Sequence, residues 1–199
     1  MATNQIDLQT GIWNASPYDP DAPAILFCAD WAPVRSLREP ILERPGSLYG
    51  PGVREELATA ALRVVNVETT LLADPDAFSP VPKEGPAFGS PAEAVQDLRE
   101  AGFDLALLAN NHSSDFGPEG LTETRRVLEE AGLMVCGVGN TQEDAYRGRT
   151  FQLGSTPVAI VNFQEGEEGP CTNRNPGLAG WDLERACAEI ERLRKAGRQ

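Results

Sequence analysis

The chain is punctuated by short apolar runs that each stop at a polar cluster, and this pattern constrains its fold more than any other feature. Ala24-Ile-Leu-Phe-Cys-Ala29 stops at Asp30, Arg63-Val-Val-Asn-Val67 at Glu68, and Asp104-Leu-Ala-Leu-Leu-Ala109 at Asn110-Asn111-His112. Unbroken apolar runs of this length are what strands buried on both faces look like. Helical patterns lie between them. Residues 51–62 open on Pro51, a residue suited to a first helical turn. Residues 91–101 carry Ala94, Val95, Leu98 and Ala101 on one face, with Ser90 as the expected N-cap and Gly102 as the stop. Residues 118–131 begin with Pro118 and end before Gly132, and Leu133–Cys136 reads as a fourth strand. Strands alternating with helices predict an α/β fold with a largely parallel sheet of right-handed βαβ units.

The remaining segments are less regular. Residues 1–23 hold Asn14, Pro17, Asp19, Pro20, Asp21 and Pro23 and read as an irregular lead-in. Residues 30–50 read as loop-rich. The connection after Glu68 carries Pro75, Pro80, Pro82 and Pro86, which excludes long regular structure; connections of this length are often functional. Residues 150–153 and 157–163 flank Gly154-Ser-Thr156 and predict a hairpin. A final amphipathic helix spans residues 181–196, with Leu183, Ala186, Cys187, Ile190 and Leu193 on one face. No repeat or internal boundary is evident, so residues 24–199 read as one domain.

Charge narrows the function classes. Thirty acidic against 17 basic residues give a net charge of −13. That argues against nucleic acid and anionic membrane surfaces as partners, since both need a cationic footprint. With 41% apolar and 24% charged residues the chain reads as a soluble globular protein. No apolar run approaches the roughly 20 residues of a membrane span, and no secretory leader is evident, so as written it reads as cytoplasmic. Cys28, Cys136, Cys171 and Cys187 form no Cys-x-x-Cys pair; Cys28 and Cys136 sit in apolar runs and read as buried thiols.

The polar clusters carry the chemistry. Asp30, Asn66 with Glu68, Asn110-Asn111-His112 with Asp115, and the loop after Phe163 each follow an expected strand. In parallel α/β sheets, ligands bind outside the carboxyl ends of the strands. Carboxylate, amide and imidazole together suit divalent metals such as Mn²⁺, Mg²⁺, Zn²⁺ or Fe²⁺. Each cluster has a plainer reading: Asp30 can cap a turn, Glu68 can be a solvated strand end, and a lone histidine is usually structural. His112 is the only histidine, yet two amides precede it and Asp115 follows three residues later, which makes a polar loop of evident purpose.

Phe88-Gly-Ser-Pro91, Leu98-Arg-Glu-Ala-Gly-Phe-Asp104, Leu108-Ala-Asn-Asn-His112 through Asp115-Phe-Gly117, and Gly137-Val-Gly139 together resemble the core of the CapA (poly-γ-glutamate capsule synthesis) family. Val65-Asn-Val-Glu68 is similar to that family's Asn-x-Glu segment, and Ala29-Asp30 stands where the family has Gly-Asp. The family belongs to the calcineurin-like metallophosphoesterase superfamily, with a layered α/β/β/α domain and two metals. The resemblance implies Asp30, Glu68 (bridging) and Asn111 as metal ligands. It implies His112 as general acid or electrostatic partner, with Asp115 orienting it and Asn66 and Asn110 completing the polar site. The expected substrate is a phosphoester or the glutamyl polymer.

The family continues into strands bearing His-x-Gly and His-x-His segments, which this sequence lacks. The chain is therefore expected to be the N-terminal part of such a domain or a shortened member. Three functions compete: a metal-dependent hydrolase or transferase in capsule or envelope metabolism, a non-catalytic binding or assembly component, and a metal-free α/β enzyme using its single histidine. Asp30, Glu68 and Asn111 are expected to converge within about 8 Å, as ligands of ions about 4 Å apart must. His112 is expected at the rim of the crevice, near Asp115. The strand near Phe163 is expected to leave a bare edge, giving a homodimer or an exposed apolar surface over residues 158–163.

Overall fold

Leu62, Val64, Val65 and Val67 are all buried, as a strand covered on both faces requires. The structure, a computed structural model, describes residues 22–165, 169–172 and 175–197, together with strand pairing at residues 5–6 and 13–14. In chain order its elements begin with β1 (Gln5–Ile6), β2 (Trp13–Asn14), β3 (Ile25–Trp31), α1 (Arg38–Glu43), α2 (Pro51–Leu57) and β4 (Leu62–Val67). Next come β5 (Thr70–Leu72), β6 (Gly89–Pro91), α3 (Val95–Glu100), β7 (Leu105–Leu107), α4 (Gly117–Glu130) and β8 (Met134–Cys136). The chain continues with β9 (Val138–Gly139), α5 (Gln142–Tyr146), β10 (Arg149–Leu153), β11 (Thr156–Ile160), β12 (Gly177–Leu178) and α6 (Leu183–Lys195).

The central sheet has the order β3-β4-β7-β8, and every pair in it is parallel. The expected α/β class and its parallel sheet are therefore present. One face carries Leu26, Cys28, Trp31, Val65, Val67, Ala106, Leu108 and Val135, packed with Leu98, Leu121 and Leu128 from the helices. The other carries Ile25, Leu62, Val64, Leu105 and Cys136 against Phe151, Leu153, Val158 and Ile160 of the β10–β11 hairpin. Helix layer, sheet and hairpin give the layered order of a metallophosphoesterase-like domain. Each fully buried leucine in this core contributes about 2 kcal/mol through the water it releases.

A register shift between Cys28 and Asp30 breaks the β3–β4 ladder, so that Cys28 faces Val65 while Asp30 faces Asn66. Ala29 is the extra residue of a bulge. Strand side chains alternate between faces, so in an unbroken strand that kept Ala29 the position after Cys28 on the helix-facing side would fall to Asp30. With the bulge Trp31 takes that buried place, and Asp30 moves to the side of Asn66.

Several sequence expectations are corrected. Residues 30–50 are more ordered than a loop-rich reading allows: a 3-10 turn at Arg35–Leu37 leads into α1, whose Ile41 is fully buried. The proline-rich connection contains β5 and β6, which pair in parallel, Thr70 facing Gly89 and Leu72 facing Pro91. Three-residue strands are too short to show a periodicity. Ser90 does not cap a helix. It lies buried in β6, its hydroxyl 2.9 Å from that of Thr69 and donating to the Pro33 carbonyl at 3.1 Å. The helix it was expected to start begins as a 3-10 turn, Ala92–Ala94, before α3. The second helix ends at Leu57. Within the irregular lead-in, Gln5–Ile6 pairs antiparallel with Trp13–Asn14; the rest of residues 1–21 lies outside the described residues.

Helix α4 illustrates how the sequence sets the packing. Leu121, Thr124, Val127 and Leu128 form its buried stripe. Thr124 is buried without cost because its hydroxyl accepts from the Leu71 amide at 2.9 Å and donates to the Gly120 carbonyl at 2.8 Å. Gly120 permits the close approach, since a Cβ there would stand 2.7 Å from Phe116 Cβ and 3.1 Å from Thr70 Cγ2. Towards the end of the chain, β11 pairs only with β10 among the described residues, and Val158 through Phe163 are half-buried except for Ile160, which is buried. All four cysteines are free thiols; Cys136 and Cys171 are buried, Cys28 is half-buried and Cys187 is exposed.

Candidate functional site

The site lies at the carboxyl ends of β3, β4 and β7. Asn66 Nδ2 donates to Asp30 Oδ1 at 2.7 Å, a contact that the Ala29 bulge makes available. Asn110 Nδ2 donates to Asn66 Oδ1 at 3.0 Å and to the Val67 carbonyl at 2.9 Å. Asn110 Oδ1 accepts from the His112 and Ser113 amides, both at 3.0 Å, and lies 3.1 Å from Ser113 Oγ. This buried amide is therefore the turn's scaffold: it shapes the loop that presents His112 and links it to β4. Glu68 follows β4, its amide donating to the Trp31 carbonyl at 3.0 Å. Burial first, and then the neighbouring Asp30 charge with which it shares a hydrogen bond, push the Glu68 carboxyl above its ordinary value.

His112 and Asp115 form the second half. Nδ1 of His112 is 2.8 Å from Asp115 Oδ2, and the Asp115 side chain is fully buried. The Phe88 amide donates to the same oxygen at 2.6 Å, and Lys83 Nζ forms an ion pair with Oδ1. Lys83 also donates to the Asn111 carbonyl at 3.0 Å. The carboxylate faces Nδ1 of His112 and so orients the ring, with Nε2 as the nitrogen not engaged by Asp115. The Phe88 ring stacks on the imidazole, centroids 3.9 Å apart and planes within 7°. His112 is consequently only 12% exposed, more covered than the rim position expected from sequence. The contact expected with Asp115 is present.

Asp30, Asn66, Glu68, Asn110, His112 and Asp115 are thus joined by direct bonds or neighbouring charge. Asn111 stands apart: it is exposed, and its carbonyl is held by Lys83. The fourth polar segment, after Phe163, includes residues 166–168, which lie outside the described residues. Its far end does return: a Cβ on Gly169 would lie 2.6 Å from Ser114 Cβ. Beside the His112–Asp115 pair is a cavity of about 460 Å³, lined by Lys83, Ser114, Pro118, Leu121 and Gly169 among others. Gly137, after β8, closes the site from below. Its φ is 88°, and a Cβ would meet Asn162 Oδ1 at 2.3 Å, the atom that caps the Ala109 amide at 2.7 Å.

The donor set bears on the metal expectation. Among the described residues, no three His, Cys, Asp or Glu side chains gather as a metal-holding group. The Asn66 and Asn110 amides are taken up by bonds within the chain. Two adjacent carboxylates remain, Asp30 and Glu68, whose mutual repulsion a cation would relieve.

Comparison with known proteins now decides the family. The profile described as "Bacterial capsule synthesis protein PGA_cap" matches residues 24–198. The chain belongs to this family. An uncharacterized protein of Sinorhizobium fredii is 35% identical to this PGA_cap chain over 119 residues, covering 57% of this chain and 26% of its own length. The capsule biosynthesis protein CapA of Bacillus anthracis is 40% identical over 73 residues, 37% of this chain and 18% of that protein. The PGA biosynthesis protein CapA of Bacillus subtilis is 26% identical over 95 residues, 46% of this chain and 25% of that protein. Each match thus spans about a quarter or less of the curated relative. Among the described residues, no helix is long and apolar enough to cross a membrane.

Sequence reasoning missed Lys83, Phe88 and Arg35 as site residues. Lys83 is one of only two lysines and sits in the proline-rich connection, a signal that was available. Phe88 and Arg35 (Cζ 5.7 Å from the Phe88 ring centre) reach the site through space and leave no local pattern.

Proposed function

We propose that this PGA_cap chain carries a divalent-cation-assisted hydrolase or transferase site of the metallophosphoesterase type, acting on a phosphoester or a glutamyl polymer in capsule or envelope metabolism. The observation that carries the reading is the His112 Nδ1 to Asp115 Oδ2 contact of 2.8 Å, with the carboxylate fully buried. That pair fixes the imidazole plane, so the doubly protonated ring can give its Nε2 proton to a departing oxygen or steady the charge developing there. Asp30 and Glu68 would hold the cation, whose chemistry when bound is to polarise the reacting centre as a Lewis acid. Phe88 covers one imidazole face and limits water on that side.

The test is turnover of a generic phosphodiester by the purified chain in Mn²⁺, before and after chelation. Under this reading His112→Asn lowers kcat by about 10²–10⁴-fold, the usual contribution of a positioned general acid. Turnover that survives both chelation and His112→Asn would sink it. Activity lost with His112 but kept after chelation favours a metal-free single-histidine enzyme instead. A specific observation also supports a second reading, a non-catalytic binding or assembly component: the two site amides are consumed by internal bonds, which leaves few ligands. Tight Mn²⁺ or polymer binding without turnover would select that reading.

A further inference from the structure

We propose that Arg35 is an anion-binding residue of this site, meeting the phosphoryl or carboxylate oxygens of the substrate beside His112. The inference rests on the catalytic reading only for the substrate's identity, since anion binding can be measured without turnover.

Arg35 is the only non-glycine residue with a positive φ, 57°, among the described residues. An L-residue in that region is strained, and such strain persists where surrounding contacts over-determine the backbone, often at ligand sites. The contacts here are visible. Pro33 O accepts from the buried Ser90 hydroxyl, and Ser90 in turn meets Thr69, which donates to the Phe88 carbonyl at 3.1 Å. The segment leading to Arg35 is thereby tied to two pieces of the site, the chain just after Glu68 and the Phe88–Ser90 stretch.

The side chain is set out in an unusual way. Its guanidinium carbon lies 5.7 Å from the centre of the Phe88 ring, the same ring that stacks on His112. Arg35 is exposed, and among the described residues it makes no ion pair with any carboxylate. Arg38 is by contrast held by Asp76 and Arg54 by Glu100, while the exposed Arg44 between them shares Arg35's lack of an ion pair among the described residues but has no aromatic ring recorded beneath it. The chain's 30 acidic residues would pair readily with an exposed guanidinium, so one that rests on an aromatic face retains all its donors for a ligand.

The chemistry of that ligand follows. A planar guanidinium fork matches two oxygens of one phosphoryl or carboxylate group. A protein of net charge −13 repels a polyanion at long range, so an anionic substrate needs a local cation beside the reacting group. Lys83 is already engaged by Asp115 and the Asn111 carbonyl. Arg35, whose guanidinium carbon is 5.7 Å from the centre of the ring that stacks on His112, can supply that cation.

The test compares the parent chain with Arg35→Gly and Arg35→Lys, titrated with inorganic phosphate and with a γ-linked glutamate oligomer, alongside thermal unfolding and phosphodiester turnover. Glycine accepts φ of 57° without strain, so Arg35→Gly should hold or raise the unfolding temperature while weakening anion binding at least tenfold; Arg35→Lys should retain part of the binding. Preference for phosphate identifies a phosphoryl substrate and preference for the oligomer a carboxylate polymer; either result supports the inference. Binding by the parent but not by Arg35→Gly, with no turnover in either, supports it and removes the catalytic reading alone. A parent that binds neither anion, or a glycine variant that binds like the parent, overturns it, as does a clear loss of stability in Arg35→Gly.

Discussion

The Phe88 ring lies flat on the His112 imidazole at 3.9 Å, and the backbone amide of the same Phe88 donates to the carboxylate that anchors that imidazole. One residue thus restrains the histidine twice, by its ring and through Asp115. Phe88→Ala removes the ring and leaves the amide. Loss of an aromatic pair costs about 0.5–1.5 kcal/mol beyond its area, so the variant should fold and lose more activity than stability. Calorimetric unfolding beside kinetics checks this; equal retention of activity would show that the stack is only packing.

Asp115 should behave differently from His112. Its carboxylate is fully buried between Lys83, His112 and the Phe88 amide, and Asp115→Ala removes the buried side of both the Lys83 and the His112 contacts. Breaking one side of a buried pair typically costs about 3–5 kcal/mol. His112→Ala leaves Asp115 with two partners and should cost about 1–2 kcal/mol, the loss of one charge-assisted hydrogen bond and some contact. Urea denaturation of both variants gives the order; a His112→Ala loss as large as that of Asp115→Ala would make the histidine structural.

Glu189 predicts an acid limb in stability. Burial alone would raise its carboxyl, but Arg192, at 2.7 Å through two nitrogens, and the Gly148 amide at 2.8 Å outweigh that and hold it below the ordinary value. A carboxylate depressed on folding stabilises the fold above its unfolded value of 4.5, and that contribution is lost as pH falls through the folded value. Glu189→Gln should therefore be less stable than the parent at pH 7, by about 1–3 kcal/mol, and indistinguishable from it in strong acid. Denaturation midpoints at both pH values decide the matter; a gap that persists in acid would mean the loss is one of packing.

Gly137→Ala tests the floor of the site. The new Cβ would stand 2.3 Å from Asn162 Oδ1, on a backbone with φ of 88°. Asn162 must swing away and release the Ala109 amide, at a cost of about 1–3 kcal/mol for the strained conformation. Hydrogen exchange at Ala109, before the Asn110 turn, should accelerate in the variant. Unchanged protection would mean the turn tolerates the methyl.

The sheet was legible from unbroken apolar runs that each end at a polar cluster, and α4 from an apolar stripe bounded by Pro118 and Gly132. The strands flanking the proline-rich connection were not, since Thr70–Leu72 and Gly89–Pro91 have three residues each and take their order from pairing with one another. Asp30, Asn66, Asn110, His112 and Asp115 were readable as a cluster because strand ends in a parallel sheet share an edge. Their division of labour was not. Nothing local separates Asn110, which builds the turn, from the exposed Asn111 beside it, and the single lysine of the proline-rich segment does not by itself name Asp115 as its partner.

Ala29 makes the site depend on parity. Every residue between the start of β3 and Asp30 counts as odd or even, because a single step sends the next side chain through the sheet to its opposite face. Deleting Ala29 would close the ladder with Cys28 still opposite Val65 and Asp30 still opposite Asn66, whereas drawing Ala29 into a regular ladder would aim Asp30 at the packed helices and leave Asn66 Nδ2 without its acceptor. The Ala29 deletion should therefore keep its Mn²⁺ binding, read by calorimetry, and loss of that binding would show that the bulge does more than set the face of Asp30. The strand carries one residue more than its partner, and the bulge absorbs the difference just before the carboxylate.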